Sequence, residues 1–145
     1  MSKVIAIDPG TTKCGLVLAS IKHKIVYEAI VIRSDFLFKY LKKISLVENN
    51  LQLLIGNGTS STKHINALSD LFPDLIVAEE KNTTFRAKQR YFEIFPLKGF
   101  QNLVPREFFI LNKNLDALAA LIILEDYYKF KFDLQKITGI KTWLK

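Results

Sequence analysis

The sequence predicts an α/β domain built on a mixed β-sheet. Residues 4–7, 16–21 and 25–32 are short apolar runs separated by brief polar turns, which is the pattern of consecutive paired antiparallel strands. Residues 51–55 and 75–78 form two further apolar runs, and apolar residues at helical spacing follow each of them. Strands that alternate with helices in this way are typical of α/β domains.

Length and composition fit one soluble domain. The chain has 145 residues, of which 49% are hydrophobic, so it can bury a sizeable core. No apolar run approaches the roughly 18 residues of a membrane span, and residues 1–3 lead into the first strand without an apolar leader. The chain has a single cysteine, Cys14, which excludes an internal disulfide. We expect Cys14 to be a small residue of the core. We therefore expect a cytoplasmic protein with no membrane partner.

The positive charge is concentrated in the second half of the chain. The formal net charge is +7, with +1 in residues 1–80 and +6 in residues 81–145. Such an imbalance favours a polyanionic partner, of which nucleic acid is the first candidate. The alternative is an ordinary solvated surface rich in lysine.

The first strand ends in a carboxylate at a sharp turn. Asp8 follows the apolar run, and Pro9 and Gly10 then reverse the chain. A carboxylate held at the end of a central strand is accessible to a metal ion or a phosphate-bearing substrate. Since aspartate is also common in turns, a purely structural role is the alternative.

The middle of the chain predicts two helices around a glycine-rich loop. Ser34 is a good N-cap for a helix that extends through Ile44. Residues 56–59 contain two glycines, which let the backbone turn or approach a ligand closely. This loop lacks the spacing and the lysine of a P-loop, which argues against a P-loop NTPase. Residues 60–62 offer caps for the next helix, on which His64 is predicted to be a surface residue.

A second carboxylate pair, Glu79 and Glu80, follows the apolar run of residues 75–78. Residues 81–84 are predicted to cap a helix through Tyr91, and prolines and a glycine after it predict a loop. Residues 81–106 carry a net charge of +5 interleaved with aromatic residues, which suits phosphate contacts and base stacking. The candidate nucleic-acid-binding residues are Lys13, Lys81, Thr83, Thr84, Arg86, Lys88 and Arg90.

The last long helix carries the third carboxylate. Asn112 or Asn114 is predicted to cap it, which would place Asp116 in the first turn. Small residues on the same broad face, Ala119 and Ala120, would let the helix pack closely on the sheet. The alternative role for Asp116 is a stabilising charge at the helix N-terminus.

One domain is expected over residues 1–145, with its core at about residues 3–130 and a basic tail at 131–145 to which no chemistry is assigned. Within it, the strand that ends at Asp8 and the strand that ends at Glu79 and Glu80 are predicted to be possible neighbours. Carboxylates that converge from separate elements repel one another unless a cation lies between them. Oxygen ligands of this kind call for Mg²⁺ or Mn²⁺, and two such ions about 4 Å apart can promote phosphodiester cleavage.

Three blocks of the sequence resemble the RuvC/YqgF group of the ribonuclease H-like superfamily, which includes Holliday junction resolvases and nucleases of precursor rRNA. Residues 7–15 are similar to the opening Asp-x-Gly block of that group. Residues 79–84 resemble its Asp-Glu-Arg-x-Thr-Thr block, with Glu79 for the aspartate and Lys81 for the arginine. Residues 115–120 are similar to its closing Asp-x-x-Ala-Ala block. The blocks occur in the family order.

The resemblance implies a five-stranded mixed sheet with its first three strands antiparallel and helices on both sides. It also implies a nuclease for junction DNA or structured RNA, dependent on Mg²⁺ or Mn²⁺ held by Asp8, Asp116 and one of Glu79 and Glu80. Glu80 matches the ligand position of the family block. A resolvase that cuts two strands symmetrically would need a homodimer. The substitution of Lys81 for arginine removes a bidentate phosphate contact.

Two other functional classes stay open. The block at residues 8–12 also resembles the phosphate loop of the actin, Hsp70 and sugar-kinase group, but those proteins need two such domains. The other alternative is a catalytically inert module that keeps the fold and binds nucleic acid or protein.

Overall fold

The computed structural model describes residues 3–94, 112–134 and 141–143. The strands are β1 (Lys3–Asp8), β2 (Lys13–Ser20), β3 (Ile25–Arg33), β4 (Leu51–Gly56), β5 (Ile76–Ala78) and β6 (Lys141–Trp143). The helices are α1 (Leu37–Val47), α2 (Ser61–Leu68), α3 (Thr83–Ile94) and α4 (Asn112–Tyr128), with a 3₁₀ turn over Ser34–Phe36 before α1.

The strands form one mixed sheet in the order β5-β4-β1-β2-β3-β6. β1, β2 and β3 pair antiparallel, whereas β4 pairs parallel to β1 and β5 pairs parallel to β4. The predicted α/β class, the mixed sheet and the antiparallel first three strands are therefore confirmed. The predicted strand count of five was too low, because β6 adds a short parallel strand beside β3.

The strand order differs from the prediction in one respect that affects the site. β1 and β5 are not neighbours, because β4 lies between them. Ile7 of β1 pairs with Ile55 of β4, and Gly56 of β4 pairs with Ala78 of β5. β4 is a six-residue strand with four buried residues, whereas β5 has three residues and an exposed Val77. The longer apolar strand takes the inner position, and the short one forms the edge.

Both faces of β1 are buried, as its apolar run predicts. Val4 and Ala6 pack in a cluster with residues of α4, while Ile5 and Ile7 pack in a second cluster with Leu37 and others from α1 and α2. Side chains alternate between the faces of a strand. Asp8 therefore has the parity of Val4 and Ala6 and lies on the α4 side of the sheet.

Three predicted helix caps differ in detail from the structure, although Ser60 does occupy the N-cap position of α2. Ser34 and Ser60 give their helices no side-chain cap hydrogen bond, because each hydroxyl bonds to the turn after β1 instead. α4 begins at Asn112, so Asp116 lies beyond the first turn. The helix-dipole explanation for Asp116 is correspondingly weak, since the effect falls off within one turn.

α3 extends three residues beyond the predicted end at Tyr91, to Ile94. The predicted loop with Pro96, Gly99 and Pro105 lies outside the described residues. The start of the predicted tail packs on the fold, because Phe132 is buried and Asp133 bridges to Ile25 of β3. In the described part of the chain, no helix has both the length and the apolar character needed to cross a bilayer.

Candidate active site

Asp8 and Asp116 approach each other because α4 packs closely over the start of β2. Asp8 pairs with Gly15 across the antiparallel ladder. A Cβ atom on Gly15 would lie 1.7 Å from the backbone oxygen of Asp116, so only glycine admits α4 at this distance. The Asp-x-Gly block and the closing Asp-x-x-Ala-Ala block are thus adjacent in space.

Glu80 reaches the same place from the edge strand. Its backbone N–H donates to Asn57 Oδ1 at 3.0 Å, and the N–H of Asn57 donates to the Ala78 carbonyl at 2.9 Å. Its carboxylate occupies the space beside β4 that a side chain at Gly56 would fill, since a Cβ atom there would lie 1.8 Å from Glu80 Oε1. The glycine loop therefore accommodates a carboxylate of this chain.

The electrostatics of the three acids are unfavourable without a cation. Burial, then the charges of Glu80 and Asp116, raise the pKa of Asp8 from 3.8 to about 7, and protonated Asp8 donates a hydrogen bond to Glu80. Burial also raises the pKa of Glu80, against the lowering effect of the Gly58 backbone and the hydrogen bond with Asp8. Within the described residues, Glu80 Oε1 and Asp116 Oδ2 are buried oxygens that receive no hydrogen bond.

Lys13 supplies the positive charge nearest to Asp116 among the described residues. Its ammonium lies 3.1 Å from Asp116 Oδ2. The contact balances charge but is not aligned as a hydrogen bond, because the same oxygen receives none. Lys13 was predicted to contact nucleic acid, and its position at this carboxylate places it at the centre of the site.

The fit of this cluster to a divalent metal is partial. Three carboxylates with two unbonded buried oxygens are the hard donor set that Mg²⁺ and Mn²⁺ prefer. However, no group of three or more His, Cys, Asp or Glu side chains in the described ranges is already arranged to hold a metal ion. The donor chemistry matches, while the side chains would have to rearrange around the ion.

The two adjacent glutamates have different surroundings. The Glu80 side chain is half-buried beside Asp8, whereas the Glu79 side chain is 78% exposed and lies 3.6 Å from the ammonium of Lys81. Glu80, and not Glu79, is therefore the acid packed beside Asp8. Glu79 instead resembles an ordinary surface acid.

Residues far apart in sequence hold the turn after Asp8. The Gly10 carbonyl accepts a hydrogen bond from the Ser34 hydroxyl at 2.7 Å and lies 3.2 Å from His64 Nε2. The buried Cys14 thiol packs at the same carbonyl, and burial raises its pKa. Sequence reasoning missed Ser34 and His64, because nothing in a lone serine or histidine indicates a partner 24 or 54 residues away.

Two of the predicted nucleic-acid-binding arginines are engaged within the fold. Arg86 forms a bidentate ion pair with Asp126 of α4. Arg90 is largely buried, bonds to Glu125 at 2.9 Å and donates to the Phe132 carbonyl at 2.9 Å. Their guanidinium groups serve the packing of α3 on α4, so they are poor candidates for phosphate contacts.

The other predicted nucleic-acid-binding residues remain accessible. Lys81, Thr84 and Lys88 are exposed and Thr83 is half-buried; Lys81 precedes α3, Thr83 and Thr84 begin it, and Lys88 lies at its middle. A groove of about 540 Å³ beside Glu79 is lined in part by Lys81, Arg86, Tyr127 and Lys129. Phe85, predicted to take part in base stacking, is 65% exposed.

Comparison with known proteins adds no assignment. No protein-family model matches the chain, and the search of curated proteins found no match either. The case for a function therefore depends on the chemistry of the site.

Proposed function

We propose that the protein is a divalent-metal-dependent endonuclease that cleaves structured nucleic acid, with a ribonuclease H-like arrangement of Asp8, Glu80 and Asp116. One observation carries the proposal. Three carboxylates from separate elements converge on one end of the sheet, and two of their oxygens are buried without a hydrogen bond. Burial, and then the charges of Glu80 and Asp116, raise the pKa of Asp8. Such an arrangement has a structural cost that a bound cation would offset.

Asp8, Glu80 and Asp116 would hold Mg²⁺ or Mn²⁺. When bound, the metal would activate water and stabilise the leaving oxygen of a phosphodiester. Gly15 and Gly56 set the spacing of these acids, because each admits a neighbour that a side chain would displace. Lys13 neutralises Asp116 without metal and would be available to a substrate phosphate once a metal took that role.

A polyanionic substrate is supported by the exposed basic and aromatic residues in the segment that follows Glu80. Lys81 directly follows Glu80 in the sequence and is exposed, and Phe85 and Lys88 are exposed on α3. We propose this face, and not Arg86 or Arg90, as the nucleic-acid surface. Junction DNA and structured RNA are both candidates, and symmetric cutting of a junction would require a homodimer.

Thermal unfolding with and without metal tests the metal site. We expect Mg²⁺ or Mn²⁺ to raise the melting temperature of the native chain by mass action. Asp8→Asn and Asp116→Asn should each abolish that rise, because each removes one ligand. Asp70→Asn, at an exposed position on the chain, is the matched control and should keep it.

Cleavage of junction DNA and of structured RNA, with metal or with EDTA, tests the reaction. Asp8→Asn and Asp116→Asn should eliminate cutting while nucleic-acid binding is largely kept. Cleavage that survives in both variants would disprove a shared site. The substrate that is cut decides between DNA and RNA.

The Lys13 contact favours a second candidate, a catalytically inert nucleic-acid or protein interaction module. A lysine 3.1 Å from Asp116 can replace a cation permanently. In that case metal should not raise the melting temperature of the native chain, and Lys13→Ala should create a metal-dependent rise that the native chain lacks. A native chain that is already stabilised by metal would exclude this candidate.

A further inference from the structure

A second concave site lies on the turn after β1, on the side of the sheet that α1 and α2 cover. It is a cavity of about 400 Å³ between that turn, the 3₁₀ turn before α1, and the start of α2. Ligand pockets in proteins are typically about 300–1,000 Å³, so this cavity suits one small molecule or one residue of a polymer. None of the three predicted acidic positions lines it.

The cavity has an apolar side and a polar side. Leu37, Phe38 and Leu68 contribute to the apolar side, and the Phe38 side chain is 43% exposed. The polar side presents hydroxyl, ammonium and imidazole groups. It includes Thr11, Ser60, Lys63 and His64.

The polar side can recognise a phosphate. The hydroxyls of Thr11 and Ser60 lie 2.8 Å apart in one hydrogen bond, in which only one of them donates, so the other keeps its proton for a ligand. Lys63 is exposed and adds a positive charge. The acid that also lines the cavity, Asp35, is bound bidentately by Arg33 at 3.0 and 2.6 Å, so it adds little net negative charge.

The loops that line the cavity also carry residues next to the carboxylate site. Thr11 lies three residues after Asp8 on the same turn, and Ser60 lies two residues after Gly58, whose backbone influences Glu80. His64 Nε2 lies 3.2 Å from the carbonyl of Gly10, which lies between Asp8 and Thr11 in the sequence. The turn after β1 therefore contributes residues both to this cavity and to the carboxylate site.

We propose that this cavity binds one unpaired nucleotide of the nucleic-acid substrate, with the base against Phe38 and the phosphate against Lys63 and the hydroxyls of Thr11 and Ser60. An aromatic ring beside a cationic and hydroxyl-lined rim is the combination that binds single-stranded nucleic acid. The inference rests on the proposed nuclease function and narrows its substrate to nucleic acid with an unpaired or splayed nucleotide. The same chemistry would accept a free mononucleotide, so the experiment compares a mononucleotide with the oligonucleotides.

Fluorescence anisotropy with three probes tests the proposal: a blunt duplex, the same duplex with one unpaired nucleotide, and labelled AMP. The native chain should bind the duplex with the unpaired nucleotide more tightly than the blunt duplex. Phe38→Ala should weaken that binding by about ten-fold and leave blunt-duplex binding unchanged. Lys63→Ala should weaken it by several-fold and reduce its salt dependence by about one unit of slope.

Two exposed positions on α1 provide matched controls. Leu46→Ala is the control for the apolar substitution, and Lys42→Ala is the control for the lysine substitution. Neither should alter the preference for the unpaired nucleotide. Because Phe38 and Lys63 are exposed, the variants should fold, and circular dichroism checks that they do.

The outcomes separate this proposal from the proposed function. Equal weakening of both duplexes, or no effect of Phe38→Ala and Lys63→Ala, would overturn the nucleotide pocket even if metal-dependent cleavage is observed. A preference for the unpaired nucleotide that depends on Phe38, in a chain that metal neither stabilises nor activates, would support the pocket and refute the nuclease. AMP binding as tight as that of the oligonucleotide would mean that the ligand is a mononucleotide, which would overturn the assignment to a strand.

Discussion

The acidic residues at the two ends of α4 have different surroundings. Near its start, Asp116 joins Asp8 and Glu80 in a cluster whose only described positive neighbour is Lys13. Near its end, Glu125 and Asp126 each receive an arginine from α3. The pKa values follow this difference, because Arg86 lowers the pKa of Asp126 while burial and neighbouring acids raise that of Asp8.

The comparison separates acids that stabilise the fold from acids that cost stability. A carboxylate with a bidentate guanidinium partner gains a charge-assisted hydrogen bond and helps to fix α3 against α4. Carboxylates that are packed together with unbonded oxygens are the arrangement expected where a ligand completes the site. One helix therefore links a structural network to the proposed catalytic site.

The largest effect is expected from breaking the buried pair at the α3–α4 contact. Arg90→Met leaves Glu125, which is 8% exposed, without its main partner, and should lower the free energy of unfolding by about 3–5 kcal/mol. Urea denaturation measures this. The double variant Arg90→Met with Glu125→Leu leaves no unpaired charge at this pair and should recover part of the loss, while the Phe132 N–H and carbonyl lose their partners. A single-variant loss below about 1 kcal/mol would contradict a structural role for this pair.

This expectation also changes how the basic helix must be tested. Replacing Arg86, Lys88 and Arg90 together would remove two ion pairs of the fold along with any phosphate contact. Lys88 and Lys81 are the accessible positions, so their alanine variants are the ones that report on nucleic-acid binding.

The second effect is a dependence of stability on pH that Asp8 should cause. Its pKa is raised from 3.8 to about 7 in the folded chain, so the folded state holds this proton more tightly than the unfolded state. The resulting penalty is absent below pH 3.8 and complete above about pH 7. Asp8→Asn removes it and should stabilise the metal-depleted chain at pH 8 by an amount on the order of 3 kcal/mol.

Urea denaturation of the native chain and of Asp8→Asn between pH 4 and pH 8, with EDTA present, measures this difference. The advantage of Asp8→Asn should grow as pH rises and disappear near pH 4. Asp70→Asn should show no such trend, because it is exposed. A pH-independent difference between the native chain and Asp8→Asn would contradict the raised pKa of Asp8.

The sequence predicted the acids near the start of α4 that lack an arginine partner, but it did not predict the ion pairs near the end of that helix. Apolar runs and turn residues predicted β1 to β5, because a strand buried on both faces reads as continuous apolar sequence. Asp8 and Glu80 were identified as candidate site residues because each follows an apolar strand. The positions of the arginines could not be predicted, because a basic residue on a helix is compatible with either a phosphate or a carboxylate partner. Only the packing of α3 on α4 reveals which it has.

β6 and the placement of the short β5 strand were also beyond the sequence. Strands of three residues carry too few side chains for an alternation to be recognised, and their pairing depends on which edge is available. The glycines were better signals. Gly56 was predicted to allow a close approach, although the approaching group is Glu80 and not a ligand.

The third effect concerns the packing of Glu80 against Gly56. Gly56→Ala places a methyl group 1.8 Å from the present position of Glu80 Oε1, so the carboxylate must leave its present position. Overpacking should cost about 1–3 kcal/mol, and the metal-dependent rise in melting temperature should be lost although all three acids are present. Gly58→Ala is the matched control, since its Cβ atom would lie 3.1 Å from Glu80 Oε2 and needs only a small shift. An unchanged metal response in Gly56→Ala would exclude Glu80 as a ligand.

The smallest effect on stability separates the two adjacent glutamates. Glu80→Gln removes a like charge from beside Asp8 and should raise the stability of the metal-depleted chain by a few tenths of a kcal/mol. Glu79→Gln should be neutral, because the side chain is 78% exposed and its contact with Lys81 is a surface ion pair. The functional difference should be far larger than the stability difference: Glu80→Gln should abolish both the metal response and cleavage, whereas Glu79→Gln should retain both. Cleavage lost in Glu79→Gln and kept in Glu80→Gln would reverse the assignment, and would mean that the exposed acid, and not the one packed against Asp8, completes the site.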